Sequence, residues 1–327
     1  MTASPRGAET VHELVAEESV DRIDRALAAL LPLSRSRIRH LIEKGCVFVD
    51  GVAVRKPSAG LPRGASVRVV VPARPEPSFA GEPIPIEILY EDEDCLVVDK
   101  PAGLVTHPAP GHPSGTLVNA LVHLRPEMAG VGNERKAGIV HRLDRDTSGC
   151  LLVAKHERAH AVLSRQFAER RVEKRYWAWV WGHMRGEEGR IDRPIGRSRH
   201  DRQLMSSRTR RGRRAVTHWR VLEHYPVADW VEVAPETGRT HQIRVHLAEA
   251  GHPVIGDTRY GGGPSRARGF QGPQQRIAAG VAKVAGRQAL HAHGLAFDQP
   301  TTGHRVEVES SLPEDLRRLQ EALREAR

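Results

Sequence analysis

From residue 20 onward the apolar positions trace short helices followed by strands. Ile23, Leu27 and Leu30 share one helical face that Pro32 closes; Ser34 then opens a second helix carrying Ile38, Leu41 and Ile42, which Gly45 stops. The period changes to two in Cys46-Val47-Phe48-Val49, turns at Asp50-Gly51, resumes at Val52 and Val54, and returns after Pro62 and Gly64 as a strand over 66–71. The pattern predicts a small α+β module over 16–72, preceded by a mobile lead-in, 1–15, of small, polar and acidic residues. Residues 73–87, rich in proline and small side chains, read as an extended linker.

The remainder, 88–327, places short apolar runs at 95–98, 150–153, 177–181 and 231–233 between loops and a few helices. Strands outnumber helices, which predicts an α+β domain built on a mixed, mostly antiparallel sheet. Arg266, Arg268 and Arg276 lie in a glycine-rich stretch that reads as a mobile surface loop, and a last helix starting at Pro313 carries Leu316, Leu319 and Leu323 at helical spacing.

Charge adds a partner to this picture. Lys and Arg number 50 against 40 Asp and Glu, a net +10 that favours a polyanion. Two stretches account for the whole excess: eight arginines against Asp201 in 197–214, and Arg35, Arg37, Arg39 and Lys44 against Glu43 on the second helix. Both invite phosphates, with Arg208, Arg210 and Arg211 as candidate contacts in the longer one; solvated or disordered chain is the plainer reading of such charge. Aromatic residues make up only 4% of the chain, too few for stacking along a strand but enough for one or two specific stacks. Cys46, Cys95 and Cys150 form no CxxC pair, which argues against a disulfide scaffold or zinc ribbon and fits a reducing cytoplasm. The first residues lack a basic stretch followed by an apolar run, and eighteen consecutive apolar residues occur nowhere, so neither secretion nor membrane insertion is expected.

Candidate chemistry concentrates in two loops. There is no GxxxxGK[ST] or GxGxxG, so neither nucleotide hydrolysis nor a nicotinamide is indicated. His156-Glu157-Arg158-Ala159-His160 matches HExxH, but it falls at the start of a helix and no third ligand follows, leaving a zinc hydrolase as a minor alternative. Residues 138–149, GIVHRLDRDTSG, join two apolar runs through a crowded polar loop; Asp144 and Asp146 there are either functional carboxylates or turn caps paired with the neighbouring arginines. In 237–246, TGRTHQIRVH, Thr237 or Thr240 can cap a helix that buries Ile243 and Leu247 and stops at Gly251. Arg244 on that helix could reach a loop carboxylate and favour its charged form, or decorate the surface.

Five blocks, KPAGLVTHPAPGH, HRLDRDTSG, EKRYWAWVWG, TGRTHQIRVHL and GHPVIGDTRYGG, resemble in order and spacing the RluA-type pseudouridine synthases, and most of all their RluD-like branch. The module in front resembles the S4 RNA-binding domain, departing from it only in the Ile of Arg22-Ile23-Asp24, where a leucine is usual. The resemblance implies isomerisation of uridine to pseudouridine in large-subunit rRNA, at the helix 69 stem-loop, without metal, cofactor or nucleotide; the protein is further expected to be a cytoplasmic monomer. The resemblance makes Asp144 the catalytic carboxylate and Arg244 its partner, lays Tyr176 against the flipped base, and puts Arg142, with His141 beside it, on the RNA. Other rRNA sites, tRNA, or a catalytically silent RNA-binding protein are the alternatives.

Overall fold

The structure, a computed structural model, describes residues 10–33, 35–72, 80–108, 112–132, 137–199, 201, 203–209 and 211–326. Ser34 and Arg210, singled out above as a helix cap and a phosphate contact, lie outside the described residues, as do 1–9 and 73–79 of the expected lead-in and linker.

The first module packs two helices, α1 (Ile23–Leu30) and α2 (Arg35–Glu43), on a four-stranded antiparallel sheet. Its strands are β1 (Thr10–Val15), β2 (Val47–Val49), β3 (Val52–Ala53) and β4 (Ser66–Val71), in the order β1-β4-β2-β3. Ile23, Leu27, Ile38, Leu41, Ile42, Val47, Val67 and Val69 form its core, so the isoleucine after Arg22 fills a core position. Residues 10–15, expected in the mobile lead-in, instead pair with β4 along their whole length. Their alternation of exposed and half-buried residues is the weak signature of an edge strand covered on one face only, easily mistaken for a polar tail.

The second half of the expected linker is held down. Glu82 N–H donates to the Asn119 carbonyl at 3.0 Å, and Asn119 Nδ2 donates to the Ala80 carbonyl at 2.9 Å. Asn119 belongs to α3 (Leu117–Leu124), whose first turn is closed by a capping box between Thr116 and Asn119.

The large domain contains the strands β5 (Glu87–Glu91), β6 (Cys95–Lys100), β7 (Ser148–Ala154), β8 (Glu173–Trp181), β9 (Glu188–Asp192), a small hairpin β10 (Gly196–Arg197) and β11 (Met205–Ser206), then β12 (Val216–Tyr225), β13 (Ala228–Pro235), β14 (Leu290–Asp298) and β15 (Arg305–Glu309). Its main sheet runs β5-β6-β7-β14-β8-β13-β12-β9, with β15 paired to β14. Every neighbour pair is antiparallel except β7 with β14, so the mostly antiparallel α+β expectation describes this domain. At that parallel junction Gly149 has φ +110°, and a Cβ on it would sit 2.3 Å from the Ala292 carbonyl oxygen; only glycine lets the two strands close there. The helices are α4 (Glu157–Glu169), α5 (Gln242–Glu249), α6 (Gly272–Val284) and α7 (Glu314–Glu325). α6 corrects the glycine-rich loop reading: Ile277, Ala278 and Val281 give it a packing edge that glycine content concealed. α7 buries Leu316, Leu319 and Leu323 as their spacing predicts. No helix among the described residues is long and apolar enough to cross a membrane.

Candidate active site

Residues 140–147 enter the middle of the sheet just before β7, held by five hydrogen bonds, four to backbone carbonyls and one to a side chain. Thr106 Oγ1 donates to the Leu143 carbonyl at 2.9 Å. Gly103 N–H and Lys100 Nζ both donate to the Arg145 carbonyl at 2.9 Å. Arg287 Nη1 donates to the Asp146 carbonyl at 2.9 Å, and Gln288 Nε2 to Thr147 Oγ1 at 2.9 Å. Lys100 is completely buried; burial pushes its amine down to about 7, while carbonyls of Pro101, Leu104 and Arg145 at 2.7–2.9 Å, which only an ammonium satisfies together, retain the charge. A loop pinned in this way presents Asp144 without needing to be ordered by a ligand.

The Asp144 side chain, 18% exposed, accepts a 2.9 Å bond from Arg244 Nη1 on α5. Arg244 is held from behind by Asp257, through Nε at 2.6 Å and Nη2 at 2.8 Å, and its guanidinium lies 5.0 Å from the centre of the Tyr260 ring. Burial works against the Arg244 charge, but the bonds and charge of Asp257, and then of Asp144, outweigh it and lift its pKa above the ordinary arginine value. Of the readings left open in the sequence, the structure therefore selects the buried arginine that reaches a loop carboxylate, and not surface decoration.

α5 begins differently from expectation. Its N-cap is His241 in the left-handed region (φ 56°), not a threonine; Thr237 Oγ1 instead bonds Gln242 Oε1 at 2.6 Å. That strained start turns the His241 ring toward Asp144, with Nε2 4.0 Å from its Oδ1, while Nδ1 meets the Tyr260 hydroxyl at 2.7 Å. The Tyr260 oxygen accepts the Met205 N–H at 3.0 Å and has its own proton to give to Nδ1, the arrangement in which a neutral imidazole carries its proton on Nε2, on the side of the carboxylate. Burial pushes the His241 pKa down, in keeping with that neutral form.

These groups open onto a cleft of about 500 Å³ lined by the catalytic loop, β8, the end of β13 and the start of α5. Tyr176, 9% exposed, lies in its wall, and burial, with the Asp144 charge second, raises its phenol pKa. Arg142 stands exposed at the rim with no hydrogen bond or ion pair among the described residues. His141 behaves otherwise than a group set aside for RNA: its Nε2 accepts the Leu152 N–H at 2.8 Å, its ring stacks on Phe167 at 4.7 Å, and burial drives it down to about 3, so it contributes no charge.

Both basic patches change on folding. In α2, Arg37 is only 6% exposed, which removes it from the surface, and Arg35 is spent on the buried Asp24 at 2.8 Å; Arg39 and Lys44 remain exposed. An alternating arginine run on a helix cannot present every member to solvent, because 100° steps send one toward the sheet. The stretch 197–214 carries the β10–β11 hairpin, tied down by Met205 on Tyr260 and by Ser206 and Ser207 on Glu249 of α5; its Arg208 and Arg211 are exposed.

The HExxH residues are otherwise engaged. His156 caps α4, accepting from Ala159 N–H, and its Nε2 lies 2.8 Å from Asp94, while Glu157 accepts the Gly132 N–H. Among the described residues the one group with metal-ligand spacing is His183, His224 and Asp229, which does not line the cleft; both histidines hydrogen bond the buried Asp229 there. Sequence reasoning missed the parts played by Lys100, Asp257, Tyr260 and His241. Asp257 and Tyr260 stand in the quoted GDTRY block and Lys100 opens KPAG, so the signal was present as motif but carried no geometry.

Residues 94–249 match the RNA pseudouridylate synthase family, and residues 21–67 match the S4 domain. The chain is 44% identical to an uncharacterized RNA pseudouridine synthase, YlyB, of Bacillus subtilis, over 94% of this chain and 96% of that one. It is 43% identical to the ribosomal large subunit pseudouridine synthase D of Zymomonas mobilis (91% and 92% covered) and 41% identical to that of Vibrio vulnificus (93% and 91%). Among solved structures, human RNA pseudouridylate synthase domain containing 1 aligns with a TM-score of 0.53 at 30% identity, covering 75% of this chain and 97% of its own. An anchored aspartate loop in the sheet's centre, a second domain of S4 type, and relatives matched nearly end to end converge: the chain belongs to the RNA pseudouridylate synthase family.

Proposed function

We propose that this protein isomerises specific uridines of large-subunit rRNA to pseudouridine, in the helix 69 stem-loop, with Asp144 as the catalytic carboxylate. The relatives named for the large ribosomal subunit support the RNA class, and the Asp144–Arg244–Asp257 arrangement is the observation that carries the chemistry. The reaction breaks the N1–C1′ bond, forms a C5–C1′ bond, and moves one proton in net terms from C5 to N1, so it is a redox-neutral isomerisation and calls for neither metal nor organic cofactor. A carboxylate fixed by one arginine nitrogen and open to the cleft on its other side is placed to act as nucleophile toward sugar or base, or as base at C2′. Tyr176 offers a neutral aromatic face for the extruded uracil, and Arg142 is free to occupy the space the base leaves; one stack of roughly 1–3 kcal/mol offsets much of the cost of flipping. The S4 module, through Arg39 and Lys44, adds affinity for the RNA backbone, and the protein works as a monomer in the cytoplasm.

The test is pseudouridine mapping of all rRNA and tRNA from cells lacking this gene, complemented with wild type or Asp144→Asn. We expect pseudouridines to vanish from the 23S helix 69 loop and to return only with the wild type. Loss at other rRNA positions or in tRNA would overturn the target, and rescue by Asp144→Asn would overturn the role of the carboxylate.

A further inference from the structure

The cleft has a second wall that the chemistry at Asp144 does not use. Side chains alternate across β8, so Lys174 and Tyr176 project from the same face, and both line the cleft. Tyr176 is the member beside Asp144, whose charge it feels; Lys174 lies one step further along the strand, next to Arg170. Lys174 is half-buried and makes no hydrogen bond or ion pair among the described residues. Burial, and then the Arg170 charge, push its amine down to about 8.

Two arginines converge on the same wall. Arg170 follows α4 in the left-handed region (φ 61°), a position that helices ordinarily give to glycine or asparagine. Arg239 lines the cleft half-buried, and its pKa is lowered by burial first and then by Arg213 and Arg170. The acids lining the cleft do not balance these charges: Asp144 is held by Arg244, and Glu236 is shared by Arg170, Arg214 and His218. Like charges gathered in a partly dry wall, beside a strained arginine, are stabilised when an anion enters between them.

We infer that Lys174, Arg170 and Arg239 form a phosphate subsite that grips a phosphodiester adjoining the flipped uridine, so that the target is recognised as a nucleotide within a chain and not as a base alone. The inference rests on the reading above that the uracil lies against Tyr176. Same-face neighbours on a strand are about 6.5–7 Å apart, comparable to the reach from a stacked pyrimidine across its ribose to its own phosphate. Lysine supplies a compact point charge and the arginines planar forks, a combination suited to phosphate oxygens. The phosphate on the 5′ or the 3′ side of the uridine presents the same chemistry, and the experiment separates them.

The experiment uses the full-length protein and a synthetic RNA stem-loop containing a uridine that the wild type converts, with one neutral methylphosphonate placed either 5′ or 3′ of that uridine. One of the two modified RNAs should bind the wild type about 10-fold more weakly than the unmodified RNA, as expected for loss of one charge-assisted contact. Lys174→Met should show the same loss on unmodified RNA and no further loss on the modified one, while Lys174→Arg retains most of the affinity. Arg239→Gln, which spares β8, is carried through the same cycle. Wild type indifferent to both neutral linkages, or penalties of variant and linkage that simply add, would overturn the subsite. Asp144→Asn should abolish conversion yet keep the methylphosphonate penalty in binding; an Asp144→Asn protein that remains active would refute the catalytic reading and leave the subsite standing.

Discussion

Arg244 stands 100 residues from Asp144 in the chain and 2.9 Å from it in the fold, touching it through a single nitrogen while Asp257 occupies the other two. The asymmetry is informative: the guanidinium is oriented by Asp257 and offered to Asp144 Oδ2, while Asp144 Oδ1 has His241 Nε2 4.0 Å away and accepts no hydrogen bond among the described residues.

Asp257→Asn should therefore weaken catalysis from outside the reacting groups. We expect kcat to fall by roughly 10- to 100-fold, as for other supporting partners of a reactive site, with the affinity for RNA little changed. Because Asp257 and Arg244 are 1% and 6% exposed, breaking their pair should also cost about 3–5 kcal/mol of stability. Single-turnover conversion and urea denaturation measure the two effects separately; unchanged kcat would contradict the orienting role.

Lys100→Met withdraws the ammonium from the carbonyls of Pro101, Leu104 and Arg145, of which the Arg145 carbonyl keeps the Gly103 N–H as a second donor. A loss on the order of 3 kcal/mol in urea-measured stability is expected, together with slower conversion at saturating RNA. Equal stability of variant and wild type would show that these carbonyls find other donors.

In the S4 module the two kinds of arginine should separate. Arg39→Ala with Lys44→Ala is expected to weaken RNA binding and to flatten the slope of log affinity against log salt by up to about two phosphates' worth, leaving the melting curve in place. Arg37→Ala, at a buried position, should lower stability first. A salt titration combined with thermal melts of the three proteins distinguishes the outcomes, and a salt slope unchanged in the double variant would remove Arg39 and Lys44 from the interface.

Stability should fall on mild acidification. His291 is fully buried, with Nδ1 at 2.9 Å from Ser148 Oγ and Nε2 at 3.3 Å from the Ser310 carbonyl, and burial pushes it down to about 4; His141 is pushed down to about 3. Both values lie below that of an unfolded histidine, about 6.5, so the unfolded chain binds more protons in between. The contribution is whole above pH 6.5 and is lost as pH falls toward 4 for His291 and toward 3 for His141, at about 1.4 kcal/mol per pH unit for each group. Urea curves at pH 7, 5.5 and 4.5 should show this slope, and His291→Gln should reduce it; a flat profile would contradict neutral burial.

What could be read without coordinates was whatever depends on local period and on motif order. The helix pair with Ile23, Leu27, Ile38 and Ile42, the switch to strands after Gly45, the mostly antiparallel large domain and the pairing of Asp144 with Arg244 all follow from residues whose spacing or block membership is visible in one dimension. Tertiary structure alone decided which charges face water and which face protein. It buried Arg37, tied Arg35 to Asp24, turned His141 onto a backbone amide, and ordered residues 10–15 as an edge strand. It also brought Lys100, Asp257 and Tyr260 behind the catalytic loop and Lys174, Arg170 and Arg239 in front of it. The reason is physical: periodicity reports the hydrophobic face of an element, whereas the fate of a polar side chain depends on which distant donor or acceptor packing sets within about 3 Å of it.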